Sequence, residues 1–301
     1  MPGGAGRRRP VEPLLPVRAR LDGDAAAPAR QRRGPAVSEV IGPQASLWSC
    51  GRIQLRVIGA LMLREMGTRF GRDNLGYVWL FLEPMLLGGA IGALHQLSGH
   101  ALPGGLEPFV FWVIGYIPFY LFRGIVNRAP VGIVGNQSLL YHRRITVFDI
   151  MLSRHLLEGA AVGIALAFYI ALFGATVDVW PVETAKMVLG MVLMLGLAHG
   201  IALLIAAGSV YTELFDRITH LATYLSMGLT GAFFMVFWLP SDMQRAVLTI
   251  PTVHCFELVR NGLYGNQVPT HYDVPYVVAW IAALNLLGMA ALRKARRHLI
   301  V

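Results

Sequence analysis

Lysine is almost missing from this chain: Lys186 and Lys294 are the two it has. A phosphate-binding P-loop needs a Gly-Lys-Ser/Thr run whose lysine reaches the β- and γ-phosphates. Lys186 follows an alanine and Lys294 an arginine, so neither fits, and ATP-driven work by this chain requires a separate ATPase subunit. Cysteine is as scarce. Cys50 and Cys255 are too few for a disulfide framework or a zinc site, and we expect two free thiols. Charge is the third shortage. Only 14% of residues are charged, against about 25% in soluble domains. With 55% hydrophobic residues, the chain cannot cover its own surface in water, so it is expected to be an integral membrane protein.

The net charge of +9 comes almost wholly from arginine. Such a balance is also a mark of nucleic-acid binders. Here the arginines sit at the two ends and between apolar segments, where topology signals belong, and nucleic acid is not an expected partner. Residues 1–45 are rich in Pro, Gly, Ala and Arg, with RRR at 7–9 and RQRR at 30–33. They contain no signal-peptide core and cannot bury one of their own, so a disordered basic tail is expected, with a membrane domain over 46–301.

Six apolar segments follow, each close to the roughly 20 residues that cross a bilayer. They fall at 77–97, 109–127, 155–175, 187–210, 220–239 and 274–292. The N-terminal region, the 128–154 loop, the 211–219 loop and the tail with Arg293, Lys294, Arg296 and Arg297 share one side and most of the basic residues. The positive-inside rule therefore places both termini in the cytoplasm. Ahead of the first segment, Leu55, Ile58, Met62, Met66 and Phe70 recur at helical spacing, with Arg52, Arg56, Arg64 and Arg72 mostly off that face and Arg69 drifting towards it. This pattern predicts an amphipathic helix lying in the lipid headgroup plane.

The stretch LREMGTRFGRDNLGYVWLFLEPMLL carries a resemblance. It is similar to the signature before the first membrane helix in ABC-2 type transport permeases, and within them to the inner-membrane permeases of capsular and surface polysaccharide export. The likeness runs from about Gly51 to the C-terminus. It implies an all-α fold of six transmembrane helices, with the interfacial helix in front and an outer re-entrant hairpin between the fifth and sixth. It also implies a homodimer and two ABC ATPase subunits that carry the ATP and Mg, this chain binding no cofactor itself. A lipid-linked polysaccharide cargo and periplasmic or outer-membrane export partners belong to the same picture, set in the bacterial inner membrane. The family's first cytoplasmic loop carries a coupling helix that docks on the ATPase. By position that is Asn136 to Asp149, with Leu139, Leu140 and Tyr141 as an apolar tip beside Arg143 and Arg144.

Three further features have a reading from their own chemistry. Glu83 is a carboxylate inside an apolar segment, which normally faces protein or a water-filled cavity. It can pair with Arg64, Arg69 or Arg123, or line a substrate entrance. Trp112, Tyr116 and Tyr120 stand four apart on one face of an unusually aromatic segment. Such a ladder suits weak, repeated contacts along a sliding sugar chain, though helix packing accounts for it as well. Between the fifth and sixth segments, Asp242 to Ile250 and Val253 to Leu263 read as two helices too short to span, broken at Pro251. There Pro251, His254, Glu257 and Arg260 follow the family's outer-gate pattern, with Glu257 and Arg260 as an i, i+3 pair; Ile250 stands where the family has asparagine. The nine histidines form no ligand motif, and His199 is expected to be hydrogen-bonded packing. No nucleophile elbow or carboxylate pair is present, so a transport permease without catalytic residues is the expectation. O-antigen, teichoic acid and small lipid or drug cargoes are open alternatives, and a membrane-embedded lipid- or sugar-modifying enzyme is a rival class.

Overall fold

The computed structural model describes residues 47–70, 76–99, 101–134, 145–212 and 214–295. The expected tail over 1–45 lies outside the described residues. So do the docking residues Leu139, Leu140, Tyr141, Arg143 and Arg144, together with Arg72 and the side chain of Arg69.

The described residues form helices joined by turns and loops, with no strand among them. In order they form α1 Leu47–Phe70, α2 Gly76–Leu97, α3 Pro108–Asn127, α4 Val131–Val134 and α5 Val147–Val177, then α6 Thr184–Ser209 and α7 Leu214–Ser226. The short α8 Ser241–Val247, α9 Pro251–Tyr264 and α10 Val274–Ala295 complete the set. Five of them, α2, α3, α5, α6 and α10, are long and apolar enough to cross a membrane. They coincide with five of the six expected segments. α5 is longer than expected because a capping box starts it early: the Thr146 hydroxyl accepts from the Asp149 N–H, and Asp149 accepts from the Thr146 N–H. Asp178, in the left-handed region at φ 53°, ends it.

The remaining segment, 220–239, is not one helix. α7 stops at Ser226 after 13 residues, about 20 Å at 1.5 Å per residue and short of a bilayer's roughly 30 Å core. Residues 227–235 then run through turns and extended backbone, with Gly231 at φ 92°, into a single 3-10 turn at Val236–Trp238. This broken stretch presses against the middle of α3. A side chain on Gly115 would drive its Cβ into the Ala232 carbonyl oxygen, so glycine is required there for the two backbones to meet.

α3 is the most buried of the membrane-length helices, and its Val110, Phe111, Val113, Ile114 and Ile117 form the centre of the core. α6 packs on both α9 and α10. The α6–α9 crossing is close enough that a Cβ on Gly190 would meet Val259, and one on Gly262 would meet Met187. Small residues at such crossings are the usual route to tight helix packing in lipid.

α1 is a helix, but its apolar residues do not gather on one face. Ile58 and Leu61 are buried, and Met62 and Met66 pack on Leu80, Leu157 and Ala161. Trp48, Ile53, Leu55 and Leu63 are exposed. The side chains α1 buries within the chain are those opposite α5 and α2, and Leu55, expected on the apolar face of an interfacial helix, lies outside that contact.

Gly115 supplies a direct test. Gly115→Val is expected to prevent recovery of folded protein from detergent extracts, judged by monodispersity and melting temperature. Gly163→Ala, at a glycine with open space around it, is expected to match wild type in both.

Candidate functional site

The residues expected at an outer gate all lie on α9, and two of them, Glu257 and Arg260, meet around one guanidinium. Arg260, on α9, is buried to 1% exposure. Its Nη1 donates to the carbonyls of Gly231 at 2.8 Å and Phe234 at 2.5 Å, and its Nη2 donates to Ala232 at 2.5 Å. These are carbonyls that the broken stretch after α7 leaves without helical partners. The ring of Phe111 lies 4.5 Å below the guanidinium and that of Phe256 at 5.9 Å, within range of cation–π attraction.

Glu257 is the counter-charge. Its carboxylate approaches Arg260 to 4.0 Å, so the expected i, i+3 pair exists, but at the outer limit of contact. Its stronger bonds are to backbone: it accepts from the Val236 N–H at 3.2 Å and the His271 N–H at 2.9 Å. Burial raises the Glu257 carboxyl above its usual range, opposed by Arg260 and those two N–H groups. Burial also lowers Arg260 to about 10, which leaves it charged at neutral pH.

His254 pins the same helix from its other side. Its Nδ1 accepts from the Asp273 N–H at 3.0 Å, which fixes the proton on Nε2, and Nε2 donates to the Leu248 carbonyl at 2.8 Å. Pro251 opens α9 at a first-turn position, where its missing N–H costs nothing. Tyr276 adds a hydroxyl bond to the Thr249 carbonyl at 2.7 Å. The two expected hairpin helices thus exist as α8 and α9. They differ in burial: α8 buries no residue, whereas Thr252 to Tyr264 of α9 are buried without exception. A short amphipathic helix of a re-entrant hairpin was expected at α9; the helix found is buried on every face, because the broken stretch, α6, α10 and α3 enclose it.

The other candidate group lies between α2, α3 and α7. Glu83 of α2 lies beside Tyr116 and Tyr120 of α3, and the side chain of Arg69, one of its expected partners, lies outside the described residues. Arg123 lies over the exposed Tyr224 ring of α7 at 5.1 Å, and Arg64 is exposed on α1. Tyr116 and Tyr120 are neighbours, 6.2 Å between ring centroids, but both are buried in this chain. Trp112 is half-buried, stacked on His95 at 3.6 Å and beside Phe233 at 5.3 Å. The expected ladder is therefore real as a face of α3, and α2 and the broken stretch cover it.

Several participants were missed in the sequence. Phe111, Gly115 and the 231–234 carbonyls have no signal of their own, since they meet Arg260 only across the fold. His155 was also passed over; its Nδ1 meets Nδ1 of His199 at 2.7 Å, joining α5 to α6. Cys255 is a buried free thiol.

These features define a polytopic α-helical membrane protein whose polar residues are spent on holding broken backbone and joining helices. No protein-family model matches the chain. It is 36% identical over 245 residues to the capsule polysaccharide export inner-membrane protein CtrC of Neisseria meningitidis serogroup A, covering 80% of this chain and 92% of that protein. It is 34% identical over 244 residues to the capsule polysaccharide export inner-membrane protein BexB of Haemophilus influenzae, covering 80% and 91%. With the polysialic acid transport protein KpsM of Escherichia coli it shares 28% over 248 residues, covering 80% and 94%. The chain belongs to the family of capsule polysaccharide export inner-membrane permeases, the subfamily to which its 61–84 stretch points.

Removing the Arg260 fork leaves a buried carboxylate and three orphaned carbonyls, a loss of about 3–5 kcal/mol by comparison with broken buried ion pairs. Arg260→Met is expected to lower the melting temperature in detergent sharply. Arg260→Lys, which keeps the charge but not the planar fork, is expected to recover only part of the loss.

Proposed function

We propose that this chain is the membrane half of an ATP-driven exporter that moves a lipid-linked capsular or surface polysaccharide from the cytoplasm across the inner membrane. The observation that carries this reading is kinship over 80% of the chain with capsule export inner-membrane proteins. Two copies form the conduit, with both termini in the cytoplasm. Two ABC ATPase subunits, which hold the ATP and Mg, dock on the 128–154 loop through Leu139, Leu140, Tyr141, Arg143 and Arg144. Periplasmic and outer-membrane proteins receive the chain beyond.

The geometry supports the two-copy arrangement at α7. That helix turns Thr219 and Thr223 inwards, the Thr223 hydroxyl donating to Asn127 at 2.7 Å. It turns Leu214, Ile218, Leu221 and Leu225 outwards. An apolar outward face on a helix too short to span suits a second copy of the chain. In this reading Glu83, Trp112, Tyr116 and Tyr120 flank the path, and the tyrosines become accessible when α2 moves off α3. Arg64, Arg69 and Arg72 meet lipid headgroups. Pro251, His254, Glu257 and Arg260 hold the outer gate.

Purification in detergent with the ATPase encoded nearest to this chain tests the reading. Wild type is expected to yield a complex of two permeases and two ATPases, and the Leu139→Ala/Leu140→Ala/Tyr141→Ala variant, correctly inserted, to lose it. A wild-type protein that retains no ATPase would overturn the exporter and favour the embedded-enzyme class.

A further inference from the structure

α1 precedes α2 in the chain, yet it packs chiefly on α5. Two polar contacts set its position. The Gln54 amide donates to Asp149 in the first turn of α5. Further along, Arg154 Nε donates to the Glu65 carboxylate at 2.8 Å. Gln54 and Glu65 are about three turns apart along α1. A rod held at two separated points can neither roll nor slide independently. Ile58, Leu61 and Met62 fill the space between them, and Glu65 is buried.

The start of α5 is also joined elsewhere. Glu158 pairs with Arg128 just past the end of α3, and His155 meets His199 of α6. Within ten residues, Asp149, Arg154, His155 and Glu158 connect α5 to three neighbours. α5 begins directly after the loop that the proposed function assigns to the ATPase. α1 leads within six residues into α2, which bears Glu83. α5 also packs on α2 directly, through Leu157 and Ala161 against Leu80, so an α1 that travels with α5 adds a second route from the foot of α5 to α2.

We propose that the Glu65–Arg154 pair is a coupling element, which locks α1 to α5 so that movement of the cytoplasmic loop before α5 is delivered through α1 to α2. Both residues are positioning residues that never touch the cargo. The pair rests on the exporter reading for the source of that movement.

The test is a charge-reversal cycle in the full complex with its ATPase, reconstituted in vesicles, reading ATP hydrolysis and glycan export together. Glu65→Arg and Arg154→Glu are each expected to leave the complex assembled and hydrolysing, but to lower export per ATP by about tenfold. The double reversal, which restores the pair in opposite sense, is expected to return export per ATP to within about threefold of wild type. A merely structural pair would change recovery of the complex and leave that ratio alone. Where a reversal blocks assembly, Glu65→Ala and Arg154→Ala replace it, with the same fall in the ratio expected. An unchanged ratio in the assembled single variants overturns the coupling role, as does a double reversal no better than the singles. A wild-type protein that neither recruits an ATPase nor exports overturns the exporter reading instead, so the two failures are distinct.

Discussion

A polypeptide broken inside a packed core has to find hydrogen-bond donors within the protein, because a buried carbonyl left without a partner is costly. Here one side chain meets that need. Arg260 gives three hydrogen bonds to the carbonyls of Gly231, Ala232 and Phe234, which follow the end of α7. Burying its charge is costly, and the cost is offset by those carbonyl dipoles, the Phe111 and Phe256 faces and the Glu257 carboxylate. Much else is constrained by this arrangement. Residue 115 has no room for a side chain, Gly231 takes a positive φ, and α9 has to be core on every face.

The opposite end of the molecule is built from different material. Around the start of α5 the joining contacts are ion pairs and a histidine pair between separate helices, several of them partly exposed: Arg128 keeps 40% of its side-chain surface. Arg260 uses its donors on backbone, which fixes a chain trace. The α5 contacts use side chain on side chain, which fixes one helix against another so that the joined helices move as one body. Broken backbone held by a buried cation resists deformation, whereas a helix pair clasped at two points transmits it. The two ends are suited to holding and to moving respectively.

Much of this was legible in advance. Hydropathy located α2, α3, α5, α6 and α10, because a long apolar run in a charge-poor chain has few other solutions. The 220–239 stretch was just as apolar and misled for a physical reason. A hydropathy window sums transfer energies and is blind to where the carbonyls go. The break falls just after α7, and the reason it is tolerated lies some 30 residues on, at Arg260. The i, i+3 spacing did place Glu257 near Arg260, while their stronger partners at Val236, His271 and 231–234 have no spacing rule to reveal them. Likewise the four-residue step put Trp112, Tyr116 and Tyr120 on one face, and periodicity cannot say that α2 covers it. At α1, helical spacing alone could not foresee that α5 and α2 would bury Ile58, Leu61 and Glu65.

The outward face of α7 links the fold to the proposed assembly. This helix ends in the very stretch that Arg260 holds, so its direction is set by the carbonyl bonds beyond its C-terminus. Thr223 and Asn127 tie its inner side to α3. A second copy that covers Leu214, Ile218, Leu221 and Leu225 would therefore bear on a helix whose far end is anchored in the buried guanidinium site. Contact between two copies and the integrity of each copy's broken segment are then one mechanical problem. A helix that ran unbroken through 220–239 would have no need of Arg260, and α7 would lose the anchor that sets its direction.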